Sequence, residues 1–452
     1  YRYMRINTIK IKNFRGFEDK SFEFDSRMNV VLGNNTTGKT TLLHAVQIAL
    51  GAYLQALTLI PGGKYFSRNF LKGDQVRKYS ESTKSFLLDE QKPSIEVNAD
   101  YYVGRIALGT KDYSEQIKNI TWLREGSKNS RKNNGELMDE VYYMEQQRRN
   151  ADATKVNSIF PLMLSFGATR LQNNYNGAEK TKARASREEK AYKCALDEQV
   201  DFKSAFDWIY SYEKNILKEL EFEGTDEAFI QAIKEAIPAI KQIFIDKKND
   251  EFTAQIQMTG DLTPRWLTYD MMSDGFKSMI NIVAEIAYRC IELNGFLGKD
   301  AVKKTPGIVM IDEVDLYLHP HWQQHILEDL QKAFPMFQFI VTTHSPFIVQ
   351  SVDTNNIITL DAKVSPISPS NRGIEEIMVA EMGLDIDISN RSEKYRKKYD
   401  LAHRYYQLVK NGREGTEEAN YVKSELNKLE AESKMFHDPA FEAALRLKRG
   451  DL

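Results

Sequence analysis

The stretch GNNTTGKT, residues 33–40, decides the fold of this chain. It fits the pattern G-x-x-x-x-G-K-[ST], in which backbone amides and a lysine wrap the phosphates of a nucleotide. A short apolar run, residues 28–32, precedes it, and residues 41–50 carry apolar side chains at helical spacing. Strand, glycine-bounded loop and helix therefore follow in the order that the chemistry needs. A chance match is the alternative, and the motifs further along the chain disfavour it.

This loop predicts a bound ATP or GTP. The expected nucleotide-binding residues of the segment are Asn34, Asn35, Thr36, Thr37, Gly38, Lys39, Thr40 and Thr41. Thr40 is also expected to bind Mg²⁺ through its hydroxyl. Thr36 stands where a glycine is common. Because a threonine disfavours positive φ, the loop is expected to permit fewer backbone conformations than a loop with glycine at this position.

Length and composition limit the class of protein. The 452 residues exceed one simple domain, and 42% hydrophobic residues suffice for a sizeable core. The formal net charge of −2 gives no global basic field, so DNA or RNA would need a local patch. Cys194 and Cys290 favour buried thiols in a reducing cytosol. The sequence contains no run of 18 apolar residues, so it predicts no membrane span.

Hydrophobic periodicity predicts a mixed α/β chain. A polar loop is expected over residues 125–135, and Pro238 is expected to kink a helix. A linker with two prolines is expected over residues 363–371. Predicted strands lie within residues 4–32, 97–108, 117–123, 160–166, 252–268, 308–311 and 337–342. Predicted helices lie over residues 202–220, 227–244, 273–293, 322–334, 393–409 and 416–432.

Two acids close the apolar run of residues 307–311. Asp312 is placed to hold Mg²⁺ through water, and Glu313 is placed to polarise an attacking water. The alternative is a solvated strand end. With a phosphate loop in the same chain, the catalytic interpretation is favoured.

Two further segments point to phosphate chemistry. Ser273, Asp274 and Gly275 precede a predicted helix, so a hydroxyl, a glycine amide and a helix N-terminus combine into a second anion-binding device. An ordinary helix cap is the alternative for this segment. His344 ends a predicted strand and is expected to contact a γ-phosphate. A core or surface histidine is the alternative there.

These motifs, in this order, resemble the ATP-binding-cassette head of the SMC and RecF superfamily. The opening IKNFRGF, residues 11–17, is similar to the first strand of that group. The resemblance implies heads that dimerise head to tail. It also implies that Ser273 and Gly275 contact the nucleotide held by Lys39 of the partner subunit.

The resemblance narrows to the PtuA ATPases of Septu-type antiphage systems, including those found beside a retron. The stretches SDGFKS at 273–278, LHPHWQ at 318–323, FGATRL at 166–171, MGLDI at 382–386 and DPAF at 438–441 carry it. In that family a separate HNH nuclease, PtuB, is the partner, and this chain shows no HNH pattern of its own. The water-positioning glutamine of cassette ATPases has only one weak candidate here, Gln75.

The sequence therefore predicts an α/β, two-lobed ABC/SMC-type P-loop ATPase head. Lobe I is expected over residues 4–170, a helical insertion over 171–250, lobe II over 251–362 and a helical C-terminal extension over 363–452. ATP and Mg²⁺ are the expected cofactors, and no nuclease activity is expected in this chain. A cytoplasmic homodimer or higher oligomer is expected, with a PtuB-like HNH nuclease and DNA or a retron RNA–DNA as partners.

Two rival functions differ in class. One is a RecF-like DNA-binding repair ATPase, which a salt-sensitive affinity of the chain for DNA would support. The other is a scaffold like the ATPase of the PARIS system, which traps a toxic nuclease. The neighbouring gene would discriminate between them.

Several other residues have open interpretations. His319, His321 and His325 suggest a metal site, but a turn after the acids is favoured. Asp385 and Asp387 suggest a nuclease acid pair, but a solvated turn is favoured. For the basic run from Lys180 to Lys190, a solvated helix face is the default over a phosphate grip. For Arg170, two interpretations are equally open: it braces a nucleotide or a partner, or it has no such role. Tyr395, Tyr399, Tyr405 and Tyr406 suggest either core packing or a partner surface.

Overall fold

The structure is a computed structural model of the chain. It describes isolated positions between 374 and 413 and, continuously, residues 4–33, 38–60, 68–107, 113–126, 129–170, 185–197, 202–246, 248–258, 261–360, 368–371 and 416–432. The chain divides into two compact units, Tyr1–Gly383 and Leu384–Leu452. The boundaries expected for the lobes, the insertion and the extension stay predictions.

A five-stranded parallel sheet belongs to the first unit. Its strands, in spatial order, are β15 (Ile357–Thr359), β3 (Met28–Leu32), β14 (Phe337–Thr342), β13 (Gly307–Ile311) and β9 (Leu162–Phe166). Every residue of β3, β9, β13 and β14 is buried. A sheet covered on both faces requires such continuous apolar runs, which is why the sequence predicted these strands correctly.

The carboxyl ends of these strands meet at one edge of the sheet. Ile311 pairs with Phe166 on one side and with Val341 on the other. The next residues along each strand's path, including Asp312, therefore leave the sheet side by side. In open α/β sheets this edge is where ligands bind.

The N-terminal residues build an antiparallel sheet. Its path is β2 (Phe17–Glu23), β1 (Arg5–Phe14), β6 (Ser94–Ala107) and β7 (Tyr113–Arg124), and β8 (Val156–Ile159) pairs with β6. Along β6 buried and accessible residues alternate, as expected for a sheet packed on one face. The predicted strands of this region are confirmed. A separate hairpin joins β4 (Arg77–Ser80) and β5 (Ser85–Leu88).

A third sheet joins β10 (Ile240–Asp246), β11 (Glu251–Ile256) and β12 (Arg265–Thr268). The strands predicted within residues 252–268 are confirmed, but the helix predicted over residues 227–244 is wrong in its second half. That helix ends at Ala236, and β10 follows after Pro238. A proline has no amide hydrogen to continue a helix, and the isoleucine-rich run after it fits a pleated sheet.

The helices of the first unit surround these sheets. The polar loop predicted over residues 125–135 is wrong from Arg131 onward, because Ser130 caps a helix there by accepting from the amide of Asn133 at 3.2 Å. The helices are α1 (Lys39–Ala56), α2 (Arg131–Arg149), α3 (Ala151–Thr154), α4 (Arg187–Tyr192), α5 (Lys203–Ile216), α6 (Thr225–Ala236), α7 (Asp274–Asn294), α8 (Ala301–Lys304), α9 (Pro320–Gln323), α10 (Ile326–Ala333) and α11 (Pro346–Gln350).

Helix α7 is the most buried of the long helices. Of its 21 residues, only Asp274 and Lys277 are not buried. Cys290 lies within it, and burial raises the pKa of that thiol well above its ordinary value. Cys194 is half-buried in a turn after α4, with φ of 52°, so the buried thiol expected there is wrong. The predicted helix over residues 273–293 is confirmed.

The second unit contains α12 (Glu417–Glu432), which confirms the helix predicted over residues 416–432. Arg404 pairs with Glu418 at 2.8 Å. A small buried cluster consists of Tyr405, Leu408, Ala419 and Val422. Tyr405 thus packs in the interior, whereas the other three tyrosines of the predicted aromatic helix and both acids of the suggested pair, Asp385 and Asp387, lie outside the described residues.

Among the helices that the structure describes, none has the length and apolarity that crossing a bilayer requires.

Candidate functional site

The phosphate-binding segment leads from β3 into the first turn of α1. Asn34, Asn35, Thr36 and Thr37 lie outside the described residues, while residues 38–41 are described. Gly38 has φ of 110°, and a Cβ on it would lie 2.9 Å from Cζ of Phe17. Both facts require glycine at this position. Within the described part of the chain no side chain caps α1, so its first-turn amides are available to an anion.

Lys39 is the first residue of α1. It is 8% exposed, and its Nζ donates to the carbonyl oxygen of Gly33. The ammonium group therefore bridges the two ends of the loop. Thr41, two residues after Lys39 in α1, is half-buried. A phosphate held by the loop would lie against both the lysine and the helix N-terminus.

Asp312 joins the phosphate-binding helix to two strand ends. Thr40 Oγ1 donates to Asp312 Oδ2 at 3.2 Å, and Thr342 Oγ1 donates to Asp312 Oδ1. The Asp312 amide donates to the carbonyl oxygen of Phe166 at 2.9 Å. A hydroxyl and a carboxylate thus converge beside the start of α1. Oxygen donors of this kind suit Mg²⁺, so the residues present fit the expected ion.

Glu313 has a left-handed backbone with φ of 49°. For a residue other than glycine this conformation costs on the order of 1–3 kcal/mol and persists only where the surroundings fix it. Its amide donates to Thr342 Oγ1 at 2.8 Å, and its carbonyl oxygen accepts from Arg170 Nη2 at 3.0 Å. Both peptide groups around Glu313 are therefore held. The side chain is half-buried at the sheet edge.

Arg170 lies beneath both acids and is 3% exposed. Its Nη1 donates to the carbonyl oxygens of Asp312 at 2.8 Å and of Gly167 at 3.3 Å. Its Nε donates to Ser278 Oγ in α7 at 3.3 Å. Burial lowers the pKa of the guanidinium, and the charges of Asp312 and Glu313 oppose that shift. An arginine stays protonated under such conditions, so all its N–H groups remain donors.

The segment of Ser273, Asp274 and Gly275 lies at the start of α7. Ser273 occupies the N-cap position, yet its side chain makes no capping hydrogen bond among the described residues. Ser273 and Asp274 are exposed, and Gly275 is buried. A Cβ on Gly275 would lie 2.6 Å from the carbonyl oxygen of Tyr317. The first turn of α7 therefore packs directly on the chain that follows the two acids.

His344 is exposed directly after β14. Its amide donates to Asp315 Oδ1 at 3.4 Å, and the hydroxyl of Thr343 donates to the same oxygen at 2.5 Å. Asp315 thus connects the segment after β13 with the segment after β14. The histidine side chain is accessible at the same edge as Asp312.

The metal interpretation of the three histidines gains no support. Nδ1 of His319 accepts from the amide of His321 and so caps α9. The rings of His321 and His325 lie 5.7 Å apart, edge to face. In the described portion of the chain, no group of three or more histidine, cysteine, aspartate or glutamate residues is arranged to hold a metal ion.

Gln75 follows Asp74, a buried acid that ties residues 71–76 to the corner between β1 and β2. Arg15 Nε donates to Asp74 Oδ1 at 2.9 Å, and Arg15 also contacts His44 in α1. Gln75 is half-buried. This arrangement leads the segment of Gln75 towards α1, and its role as a water-positioning residue stays a prediction.

Most of the basic run, residues 180–184, lies outside the described residues. Arg187, in the described part, contacts Glu221 at 3.0 Å and stacks on the ring of Phe222 at 5.0 Å. That guanidinium is occupied by protein groups. Among described residues, Lys190 is the exposed member of this run.

Sequence reasoning missed two members of the site. Thr342 holds both Asp312 and Glu313, and Asp315 joins the two strand ends. The signal for Thr342 is a hydroxyl residue that ends an otherwise apolar strand run. No comparable signal marks Asp315, whose partners come from a distant part of the chain.

Similarity to known proteins identifies the family of this chain. A family profile described as "AAA domain" matches residues 8–252. A relative named "Retron Ec83 probable ATPase", from Escherichia coli, is 26% identical over 96% of this chain and 88% of its own. "Septu protein PtuA" from Bacillus thuringiensis is 36% identical over 26% of this chain and 32% of its own. A solved "SMC head domain from Thermotoga maritima" has a TM-score of 0.39 at 14% identity, covering 81% of this chain and 96% of that one.

The matched profile spans more than half of the 452 residues. It includes the phosphate-binding segment, α1 and Arg170. The chain therefore belongs to the AAA domain family, as a P-loop ATPase of the PtuA type.

Proposed function

We propose that this ATPase holds ATP and Mg²⁺ among Lys39, Thr40 and Asp312 and hydrolyses ATP with Glu313. The observation that carries the proposal is the 3.2 Å contact of Thr40 with Asp312, directly beside Lys39 at the start of α1. A bound Mg²⁺ supplies charge stabilisation to phosphoryl oxygens. All other contributions come from the residues of the chain.

Lys39 and the first-turn amides of α1 bind phosphate oxygens. Glu313 orients an attacking water and accepts its proton. Because Thr342 and Arg170 hold both peptide groups around Glu313, its side chain is directed before the nucleotide arrives, and little reorganisation remains for the reaction. His344 contacts the terminal phosphate from the neighbouring strand end.

The proposed active form is a homodimer or a higher oligomer. Among the residues that the structure describes, the hydroxyl of Ser273 makes no capping hydrogen bond, and the 21-residue helix α7 begins at an exposed position. The N-terminus of a helix of this length favours an anion. We infer that it receives the phosphates held by a second copy, with Ser273, Asp274 and Gly275 as the contacting residues.

The proposed biological role is antiphage defence in the cytoplasm. Support comes from relatives named as a retron ATPase and a Septu protein. A PtuB-like HNH nuclease is the proposed partner, with DNA or a retron RNA–DNA as its nucleic acid. Copurification from the native operon with mass measurement tests this role. A nuclease bound in fixed stoichiometry supports it, whereas a lone chain with salt-sensitive DNA affinity supports the RecF-like alternative.

Lys39→Ala tests nucleotide binding. We expect ATP affinity to fall about 100-fold, since a charged hydrogen-bond donor to phosphate is lost. Titration calorimetry with ATP and Mg²⁺ measures this. Lys10→Ala, at an exposed position of β1, is the matched control and retains wild-type affinity. Unchanged affinity in Lys39→Ala contradicts the proposed site.

Glu313→Gln tests hydrolysis separately from binding. We expect turnover to fall about 100-fold or more, as removal of a general base does, while ATP affinity stays within about 3-fold. Phosphate release and titration calorimetry measure the two quantities. Glu96→Gln, exposed on β6, controls for the loss of one charge. Wild-type turnover in Glu313→Gln removes this residue from its proposed role.

A further inference from the structure

The guanidinium of Arg170 joins three segments that are far apart in sequence. Its Nε bonds to Ser278 in α7, and its two Nη atoms bond to the carbonyl oxygens of Asp312 and Glu313. Ser278 is 1% exposed, so water does not compete readily for this hydroxyl. Arginine alone among side chains offers five donors in a rigid planar fork, which a lysine cannot reproduce.

Ser278 lies one helical turn after Asp274, on the helix that begins with the segment of Ser273, Asp274 and Gly275. Two other contacts connect the same turn with the chain after the acids. Gly275 approaches the carbonyl oxygen of Tyr317, and the ring of Phe276 meets that of Trp322 edge to face at 4.2 Å. The start of α7 and the segment that begins at Asp312 are thus in contact at several points.

We propose that Arg170 is a positioning residue that couples the start of α7 to the backbone of Asp312 and Glu313. The inference rests on the proposed function, in which α7 receives the nucleotide of a second copy and Glu313 hydrolyses the one held by its own chain. When α7 shifts on binding the nucleotide of the second copy, Ser278 moves with it. The guanidinium of Arg170 then moves, and with it the two carbonyl groups to which it donates. Binding of the second copy's nucleotide at the start of α7 therefore sets the orientation of the Glu313 side chain at the chain's own nucleotide.

The direction of this effect follows from the backbone of Glu313. Its left-handed conformation is held at the amide by Thr342 and at the carbonyl by Arg170. If the carbonyl bond weakens, the residue relaxes toward an ordinary conformation and its carboxylate turns away from the strand edge. The proposed phosphate contacts, Lys39 and the first-turn amides of α1, do not include this carbonyl group. Loss of the coupling therefore lowers turnover and leaves ATP affinity unchanged.

A double-mutant cycle with Ser278→Ala and Arg170→Lys tests the inference. Ser278→Ala removes the link to α7 and keeps the bonds of Arg170 to the acids' carbonyls. We expect each single variant to lower kcat about 10-fold at ATP affinity within 2-fold of wild type. The double variant is expected to match Arg170→Lys, since Ser278 acts on the two acids only through the guanidinium of Arg170. A double variant with kcat lowered about 100-fold, or Ser278→Ala with wild-type kcat, overturns the coupling.

Arg148→Lys is the matched control for loss of an arginine that bonds to α7. Arg148 also bonds α7, at its other end, by donating to the carbonyl oxygen of Leu293 at 2.9 Å. A purely structural role of Arg170 would give the same pattern as this control, a lower unfolding temperature with unchanged kcat per folded chain. Failure of the underlying function appears differently. In that case the wild-type chain either hydrolyses no ATP or hydrolyses it at a rate that Lys39→Ala does not change.

Discussion

The two ends of α7 use the same kind of chemistry for different purposes. At its start, buried Arg170 bonds to Ser278 and continues to the carbonyl groups of Asp312 and Glu313. At its end, half-buried Arg148 donates to the carbonyl oxygens of Leu293 and, at 2.7 Å, of Ser158, and it also bonds to Asn294 and Glu188.

The difference lies in what surrounds each arginine. At the start of α7 the neighbours include an exposed serine, an exposed aspartate and a strained glutamate. At the end, Asn294 is fully buried, and Arg148 also stacks on the rings of Phe160 and Phe296. Polar groups that are paired within the protein specify how elements pack, whereas exposed and strained groups mark a place that meets a ligand. Variants at the two ends should therefore separate stability from turnover.

Asn294→Ala should have the largest effect on stability. The Asn294 amide group donates to Phe160 at 2.8 Å and to Thr305 at 2.9 Å, and it accepts from the Phe160 amide at 2.9 Å. Its removal leaves buried groups without partners, which costs about 2–4 kcal/mol. Urea unfolding measures this. Turnover per folded chain should stay at the wild-type level, with Asn249→Ala, in an exposed turn, as the control. A tenfold loss of turnover would break the division between the two ends.

Gly275→Ala should lower turnover, which Asn294→Ala leaves unchanged. A Cβ at 2.6 Å from the carbonyl oxygen of Tyr317 forces α7 and the segment after the acids apart. Displacements of this size at a catalytic group lower turnover about 10- to 100-fold. Stability should also fall, by about 1–3 kcal/mol, because the clash is with a backbone oxygen and outweighs the gain from replacing glycine by alanine in a helix.

Gly135→Ala is the matched control for this change. Gly135 also lies near the start of a helix, α2, and a Cβ there would meet nothing within 4 Å. It should stabilise the chain by about 0.5–1 kcal/mol and leave turnover unchanged. Phosphate release and urea unfolding, measured on both variants, decide the comparison. Equal turnover of the two variants would contradict the close packing at Gly275.

The sequence predicted the parallel sheet well because its strands are uniformly apolar and end at diagnostic motifs. The strand before GNNTTGKT and the strand before Asp312 are examples. The region after Ala236 was mispredicted, because the isoleucines from Ile237 to Ile245 fit helical and alternating periods alike over a short window. Only the position of Pro238 distinguishes the two, and a proline is compatible with a kinked helix as well as with a break.

The site was predictable where one segment carries its own signal and not where distant segments meet. Lys39, Thr40 and Asp312 belong to recognisable patterns, and the structure places Thr40 against Asp312. Arg170 had an ambiguous setting, since its partners in α7 and after β13 are more than 100 residues away in sequence. Spacing cannot reveal a contact that depends on how sheets and helices pack.

Trp322→Phe should give the smallest effect and sharpen the comparison most. The ring of Trp322 meets Phe276 at the start of α7 with an interplanar angle of 88°, and such edge-to-face pairs contribute about 0.5–1.5 kcal/mol. A phenylalanine keeps part of this contact, so turnover should fall only about 2- to 5-fold, with urea unfolding shifted by about 1 kcal/mol or less. Trp266→Phe, half-exposed on β12, is the control and should change neither quantity. If Trp322→Phe lowers stability as much as Asn294→Ala while turnover stays constant, then the start of α7 is a packing element like its end, and its exposed residues lose their distinct role.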